Sequence, residues 1–142
     1  MALWAQMLAA MVLIVLVTLI HGTGVVITTK VFKHEDRHLK GRKLAFREFR
    51  LMVPMALCLF GLHVIEIYVF AGFYFAAGAP GEFADALYAS AAAYTTLGIG
   101  EGALGEWQMV GAFEGLAGFL LIGWSAAVFV TDMEKILRNW KP

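Results

Sequence analysis

The sequence predicts an all-α membrane protein with three transmembrane helices, a short re-entrant helix and a glycine-rich loop after it. Three observations predict this. Of the 142 residues, 61% are hydrophobic and only 15% charged, an apolar excess outside the range of soluble domains. Three stretches, at 2–29, 51–79 and 107–131, are apolar over enough length to cross a bilayer, which takes roughly 20 helical residues. A fourth apolar stretch, at 82–94, is too short to span and suits a helix that enters the membrane and turns back.

The first span is apolar from residue 2, with no Lys or Arg before Lys30. It lacks the basic region that opens a secretory leader, so it is expected to be a retained helix. All 11 Lys and Arg fall in two places: from Lys30 to Arg50, and at Lys135, Arg138 and Lys141. The positive-inside rule then places the 30–50 loop and the C-terminus in the cytoplasm, and the N-terminus and the 80–106 region outside. Three spans must alternate sides in this way, so charge and topology agree. The 30–50 stretch also carries Glu35, Asp36 and Glu48. It is expected to extend the flanking helices or to lie on the membrane surface, where anionic lipid headgroups attract basic groups.

After the second span, Ala79-Pro80-Gly81 breaks the chain. The re-entrant helix begins with Glu82 and Asp85 in its first turn, where the helix dipole favours acids. It ends before Gly98-Ile99-Gly100-Glu101-Gly102. The third span begins at Trp107, and Trp4, Trp107 and Trp140 are placed as interfacial anchors. Gly111, Gly115 and Gly118 in this span are spaced to let helices approach closely.

Four ionisable residues lie inside apolar spans: His21, His63, Glu66 and Glu114. Such groups are costly in a membrane and are functional candidates. His63 and Glu66 are three apart and share a helix face. Glu114 is expected either to face the back of the re-entrant helix or to pair with His63. These three are the candidate intramembrane polar cluster, read as an interhelical clamp worth about 1 kcal/mol or as an ion- or proton-sensing group.

Irregular backbone at membrane depth is tolerated only where it is buried in protein or lines a water-filled path. The segment Thr96-Leu97-Gly98-Ile99-Gly100 has a use for such backbone, because ion filters replace a cation's water shell with carbonyl oxygens. Turning the carbonyls to one axis needs backbone conformations that glycine adopts cheaply, and Gly98 and Gly100 are placed for that. The Thr96 hydroxyl adds an oxygen at the inner end. The re-entrant helix aims its negative C-terminal end at the same path.

Residues 86–101, Ala-Leu-Tyr-Ala-Ser-Ala-Ala-Ala-Tyr-Thr-Thr-Leu-Gly-Ile-Gly-Glu, resemble the pore helix and signature of the potassium channel superfamily. Its pattern there is Thr-Thr-Val-Gly-Tyr-Gly-Asp. Trp107 and Gly123-Trp124-Ser125 resemble a group of small bacterial ion-channel proteins with one extra helix ahead of the pore unit. The resemblance implies an additional N-terminal helix and basic linker at 1–45 and a pore domain at 46–142. In that domain the second span is the outer helix and the third the pore-lining inner helix. It implies a homotetramer, since each chain offers one of four filter strands. It also implies filter cations, K+ with Na+ as the alternative, as the only cofactors. Glu101 and Glu106 become candidates for an acidic ring at the outer mouth.

Two departures from the family pattern bear on selectivity. Ile99 stands where the family has Tyr or Phe, and Ala89 where a tryptophan often receives that side chain's bond. Ala92 stands where a pore-helix acid would pair with the acid after the filter, here Glu101. The expectation is a filter with fewer polar braces, resting on packing around Ile99, that conducts potassium either with reduced discrimination against sodium or, where Ile99 fills the pocket well enough, with ordinary selectivity. The alternatives are a non-selective cation channel and a non-conducting structural or regulatory subunit.

Other classes find no support. Cys58 is the only cysteine, so no disulfide framework or Cys-based metal site is expected. There is no arginine ladder in any span, no internal repeat of the transporter kind, and no nucleotide, haem, nucleic-acid or catalytic constellation. His34 and His38, at i and i+4, could bind a metal but read as solvated surface histidines.

Overall fold

In a computed structural model of the chain, residues 2–39, 44–79, 81–100 and 102–138 are described. The elements are α1 (Leu3–His38), α2 (Leu44–Ala76), α3 (Phe83–Tyr94), a single 3-10 turn (Gly105–Trp107) and α4 (Gln108–Arg138). No strand occurs among the described residues. Three helices, over Leu3–His38, Glu48–Ala76 and Gly105–Lys135, are long and apolar enough to cross a membrane. The chain is a multi-pass membrane protein.

The long helices run past the apolar stretches that announce them. α1 continues from Thr29 to His38, and α2 starts at Leu44, ahead of its apolar run. Of the two expectations for the 30–50 stretch, the described residues follow the helical extension. Exposed Arg50 and Glu35 join the two extensions at 3.3 Å. Pro54 lies inside α2, where its missing N–H leaves a carbonyl one turn back without its usual donor.

α1 packs against both α2 and α4, and α3 is held between α2 and α4. α1 and α4 run parallel: Gln6 Oε1 accepts from the Met109 N–H at 3.3 Å at one end, and His21 reaches Ser125 further along. Gly24 sets the α1–α2 crossing, since a Cβ there would strike the side chain of Leu62.

The interior has three layers. One apolar cluster centres on Val17, Phe70, Tyr74, Ala86 and Leu104, at the end that holds α3. A second centres on Val25, Leu51, Met55, Leu59 and Met133, toward the basic end. Between them lie the buried polar side chains of His21, Glu66 and Ser125, with half-buried His63 beside them. Away from this interior the long helices are apolar and bare, as at Trp4, Leu19, Phe60 and Phe119, which is the surface that lipid or a neighbouring membrane helix covers.

Candidate functional site

The 96–100 segment hangs from the C-terminal end of α3, and the way that helix stops sets its course. Thr96 N–H bonds to Ala93 O at 2.9 Å and Leu97 N–H to Ala92 O at 3.0 Å. This pair of bonds is a Schellman cap, a closure that needs a left-handed residue just past the helix and usually finds glycine there. Here that residue is Thr96, at φ +59°. Left-handed backbone at a β-branched residue costs about 1–3 kcal/mol and persists where surrounding structure holds it. Thr95 adds a bond from its hydroxyl to Ala91 O at 2.6 Å.

Beyond the cap the chain leaves regular structure, and the Gly98 N–H still reaches Ala92 O at 3.3 Å. Gly98 sits at φ +96°, and a Cβ there would meet no atom within 4 Å. Gly100, expected to share that role, is not among the positive-φ residues. The left-handed pair is therefore Thr96 and Gly98, because the cap uses the first such position. Leu97 is 83% exposed in the single chain. Ile99 is the anchor: it packs against the apolar cluster around Leu104 and closes over Gly111 of α4. Gly102 and Gly105, at φ +79° and +50°, then turn the chain into α4.

Recesses border the segment, and two of them touch Ile99 and Gly100. The first, of about 580 Å³, lies between Thr96–Gly100 and the face of α4 that carries Ala112, Gly115 and Phe119. The second, of about 330 Å³, lies behind Ile99 and Gly100 and is bounded by Asp85, Tyr88, Ala89 and Ala92. Ala89 and Ala92 leave that space without side-chain braces.

The bracing lies instead on the far side of α3. Ser90 and Tyr94 are one turn apart on it, and each meets a buried carboxylate from a long helix. Ser90 Oγ is 2.5 Å from Glu114 Oε1 of α4 and 2.9 Å from the Ile67 carbonyl of α2. Tyr74 of α2 donates to the other Glu114 oxygen at 2.6 Å. Tyr94 donates to Glu66 Oε2 of α2. Glu66 also accepts from His21 Nδ1 of α1 at 2.8 Å, and His63 Nδ1 lies 3.2 Å from its Oε2 and 2.9 Å from the Tyr94 hydroxyl. Glu66 and Glu114 are both 0% exposed. Burying a carboxylate is tolerated when its oxygens are bonded, and each of these has donors on both oxygens.

The polar residues weighed in the spans thus form two groups. His63 and Glu66 come together and are joined by His21. Glu114 does not pair with His63; it faces the back of α3 and bonds Ser90 and Tyr74. The separation follows from helix geometry, because Glu114 and Glu66 meet side chains one turn apart on α3. Tyr74, Ser90 and Tyr94 were not legible as partners, although two polar side chains at i and i+4 in an alanine-rich helix are the signal that marks them. Glu106 is exposed at the turn before α4. Glu101 lies outside the described residues.

The Glu114 group makes a specific prediction. Glu114→Leu leaves the buried Tyr74 hydroxyl without an acceptor, a cost of about 1–3 kcal/mol. Adding Tyr74→Phe is expected to recover most of that loss, since removing both partners is nearly neutral. Unfolding of the purified proteins in detergent measures both. A double variant as unstable as Glu114→Leu alone would show that the bond is not what Glu114 supplies.

Compared with known proteins, residues 62–135 match the family model described as "Ion channel". That stretch begins in the middle of α2, takes in α3 and the 96–100 segment, and ends near the end of α4. No curated protein and no solved structure matches the chain.

Proposed function

The chain belongs to the ion channel family, and from that premise we propose that it is a cation channel subunit. Four copies place their 96–100 segments around one axis. Potassium passes down its gradient between the carbonyls of Thr96, Leu97, Gly98 and Ile99, with the Thr96 hydroxyl at the inner end and Gly100 at the outer. The carrying observation is the conformation of that segment. It is irregular, largely exposed backbone launched from the C-terminal end of α3, with Thr96 and Gly98 held left-handed. Backbone of this kind within a membrane protein needs a partner for its polar groups, and cations supply one. Leu97, 83% exposed beside it, is the apolar side chain that neighbouring copies cover.

The inner helix in this reading is α4, which presents Ala112 and Phe119 on the same open side as the segment. Glu106, and Glu101 after the filter, gather cations at the outer mouth. Lys and Arg bias puts that mouth outside the cell membrane and the 30–50 loop and C-terminus in the cytoplasm, next to anionic lipid. No organic cofactor takes part.

Selectivity rests on Ile99. It holds the segment by packing alone, with the alanine-lined recess behind it, so the carbonyl cage resists distortion less than a hydrogen-bonded one. Potassium is expected to permeate best, with sodium passing measurably. Flux from liposomes containing the purified protein tests this with potassium, sodium or a large organic cation as the only permeant species. A reversal potential near the potassium equilibrium value in mixed ions would reject reduced selectivity. A value that treats the two ions alike would assign the non-selective reading. Absence of flux for all cations would identify a non-conducting subunit and end the channel proposal.

A further inference from the structure

The polar layer between the two apolar clusters holds a donor set that hydrogen bonding between helices does not require. His21 from α1 and His63 and Glu66 from α2 bring two imidazoles and a carboxylate together, with one ligand atom of each within 4.8 Å of the others. We infer that these three side chains form a binding site for a divalent transition-metal ion of the zinc class, buried at membrane depth, with the Tyr94 hydroxyl as a fourth donor.

The donors lie closer together than a bound ion would hold them, as hydrogen-bonded groups do, and they converge on one point. A tetrahedral centre with bonds of about 2.0–2.2 Å spaces its donor atoms roughly 3.3–3.6 Å apart. His21 Nδ1 lies 2.8 Å from Glu66 Oε1, His63 Nδ1 lies 3.2 Å from Glu66 Oε2, and His63 Nδ1 lies 2.9 Å from the Tyr94 hydroxyl. The donors now share protons, and a metal takes the place of those protons as the side chains move apart.

The donor chemistry selects the ion. Calcium and magnesium demand about six oxygens or retained water, and a site of two nitrogens and a carboxylate offers neither. Imidazole nitrogen with one carboxylate suits zinc, cobalt, nickel or copper. The surroundings complete the set. A ligating histidine needs a partner for its other ring nitrogen, and His21 Nε2 lies 3.4 Å from Ser125 Oγ of α4. His21 and Glu66 are fully buried, while the His63 side chain is 14% exposed in the single chain.

The placement ties the ion to the rest of the molecule. The donors come from α1, α2 and the last residue of α3, and Ser125 belongs to α4. Tyr94 is two residues from Thr96. A bound ion therefore locks the additional first helix to the root of the 96–100 segment, which assigns α1 a job that conduction alone does not. The metal site stands whether or not the segment conducts.

Cobalt(II) added to the purified full chain in detergent tests the site, because a four-coordinate cobalt centre absorbs strongly in the visible. His34 and His38, whose Nε2 atoms lie 3.0 Å apart on an exposed surface, are the rival donors. The double variant His34→Gln, His38→Gln removes them. In that protein one cobalt per chain is expected to bind with the visible bands intact and to be displaced by zinc. His63→Gln in the same background is expected to weaken cobalt binding at least tenfold. X-ray absorption of the zinc-loaded His34→Gln, His38→Gln protein needs no further variant, and is expected to give a shell of nitrogen and oxygen near 2.0–2.1 Å. Loss of the cobalt bands with His34 and His38, binding indifferent to His63→Gln, or a six-oxygen zinc shell would each overturn the site. None of these readings depends on ion flux, so failure here is separable from failure of the channel proposal.

Discussion

Gly98→Ala is expected to cut cation flux by about 5- to 150-fold while leaving the protein folded and assembled. Gly98 sits at φ +96°, where an L-residue is strained by about 1–3 kcal/mol, and that range corresponds to the stated factor in the population of the conducting arrangement. Space is not the issue, since a Cβ there meets nothing within 4 Å in the single chain. The expected damage is to the direction of the carbonyls on either side. Gly78→Ala is the matched control: it lies at φ +69° in the turn after α2, also with open space, and carries a similar backbone strain away from the ion path. Flux from liposomes compares the two. Equal flux from Gly98→Ala and the unaltered protein would remove the 96–100 segment from the permeation path.

Gly118→Ala is expected to destabilise the folded protein by about 1–3 kcal/mol, the usual cost of an atom forced into a full interior. A Cβ at Gly118 would run into the carbonyl of Tyr94, with the Tyr94 ring carbon Cγ 2.9 Å away. A backbone carbonyl cannot swing aside as a side chain can, so α4 must slide off α3. The slide pulls on Tyr94, and through it on Glu66 and His63. Gly115 is less crowded, with Ala93 O 3.0 Å from the added atom. Gly123→Ala, one turn and a residue further on, meets no atom within 4 Å. It should be neutral or slightly stabilising, because alanine favours helix by up to about 1 kcal/mol over glycine. Thermal or denaturant unfolding in detergent separates the two. A Gly118→Ala protein as stable as Gly123→Ala would mean that α4 does not rest on the end of α3 as described.

Gly111, Gly115 and Gly118 of α4 show how far a sequence pattern reaches. Their spacing announces close packing, and all three are crowded: Gly111 by Ile99 and Leu104, Gly115 by Ala93, Gly118 by Tyr94. What the spacing cannot say is that the surface they meet is α3 and the segment that leaves it. The polar residues show the same limit. His63 and Glu66 are neighbours on one helix, so their meeting follows from the 3.6-residue turn alone. His21 and Glu66 are 45 residues apart and meet because α1 packs along α2, with Gly24 against the Leu62 side chain.

The left-handed positions show it once more. Glycine is the natural candidate for such backbone, and Gly98 is one. Thr96 is the other because the end of α3 is closed by two hydrogen bonds that demand a left-handed residue at that point. Gly100 lies past the anchor at Ile99 and is spared that demand. Residue preference points to where the chain can bend, and hydrogen-bond closure decides where it does.

The sequence by itself determined the three spans, the basic end and the short helix over 82–94, which forms as Phe83–Tyr94. It also determined membership of the channel superfamily. Hydropathy, charge and turn chemistry act on neighbours along the chain, so these features are written in local order. Only the tertiary structure decided which carboxylate braces which side chain, and that the polar supports of α3 lie behind Ser90 and Tyr94 rather than behind Ile99. It alone brought two histidines and a glutamate from two helices together. Those choices depend on the height and rotation at which helices dock, and small residues tens of positions apart set both.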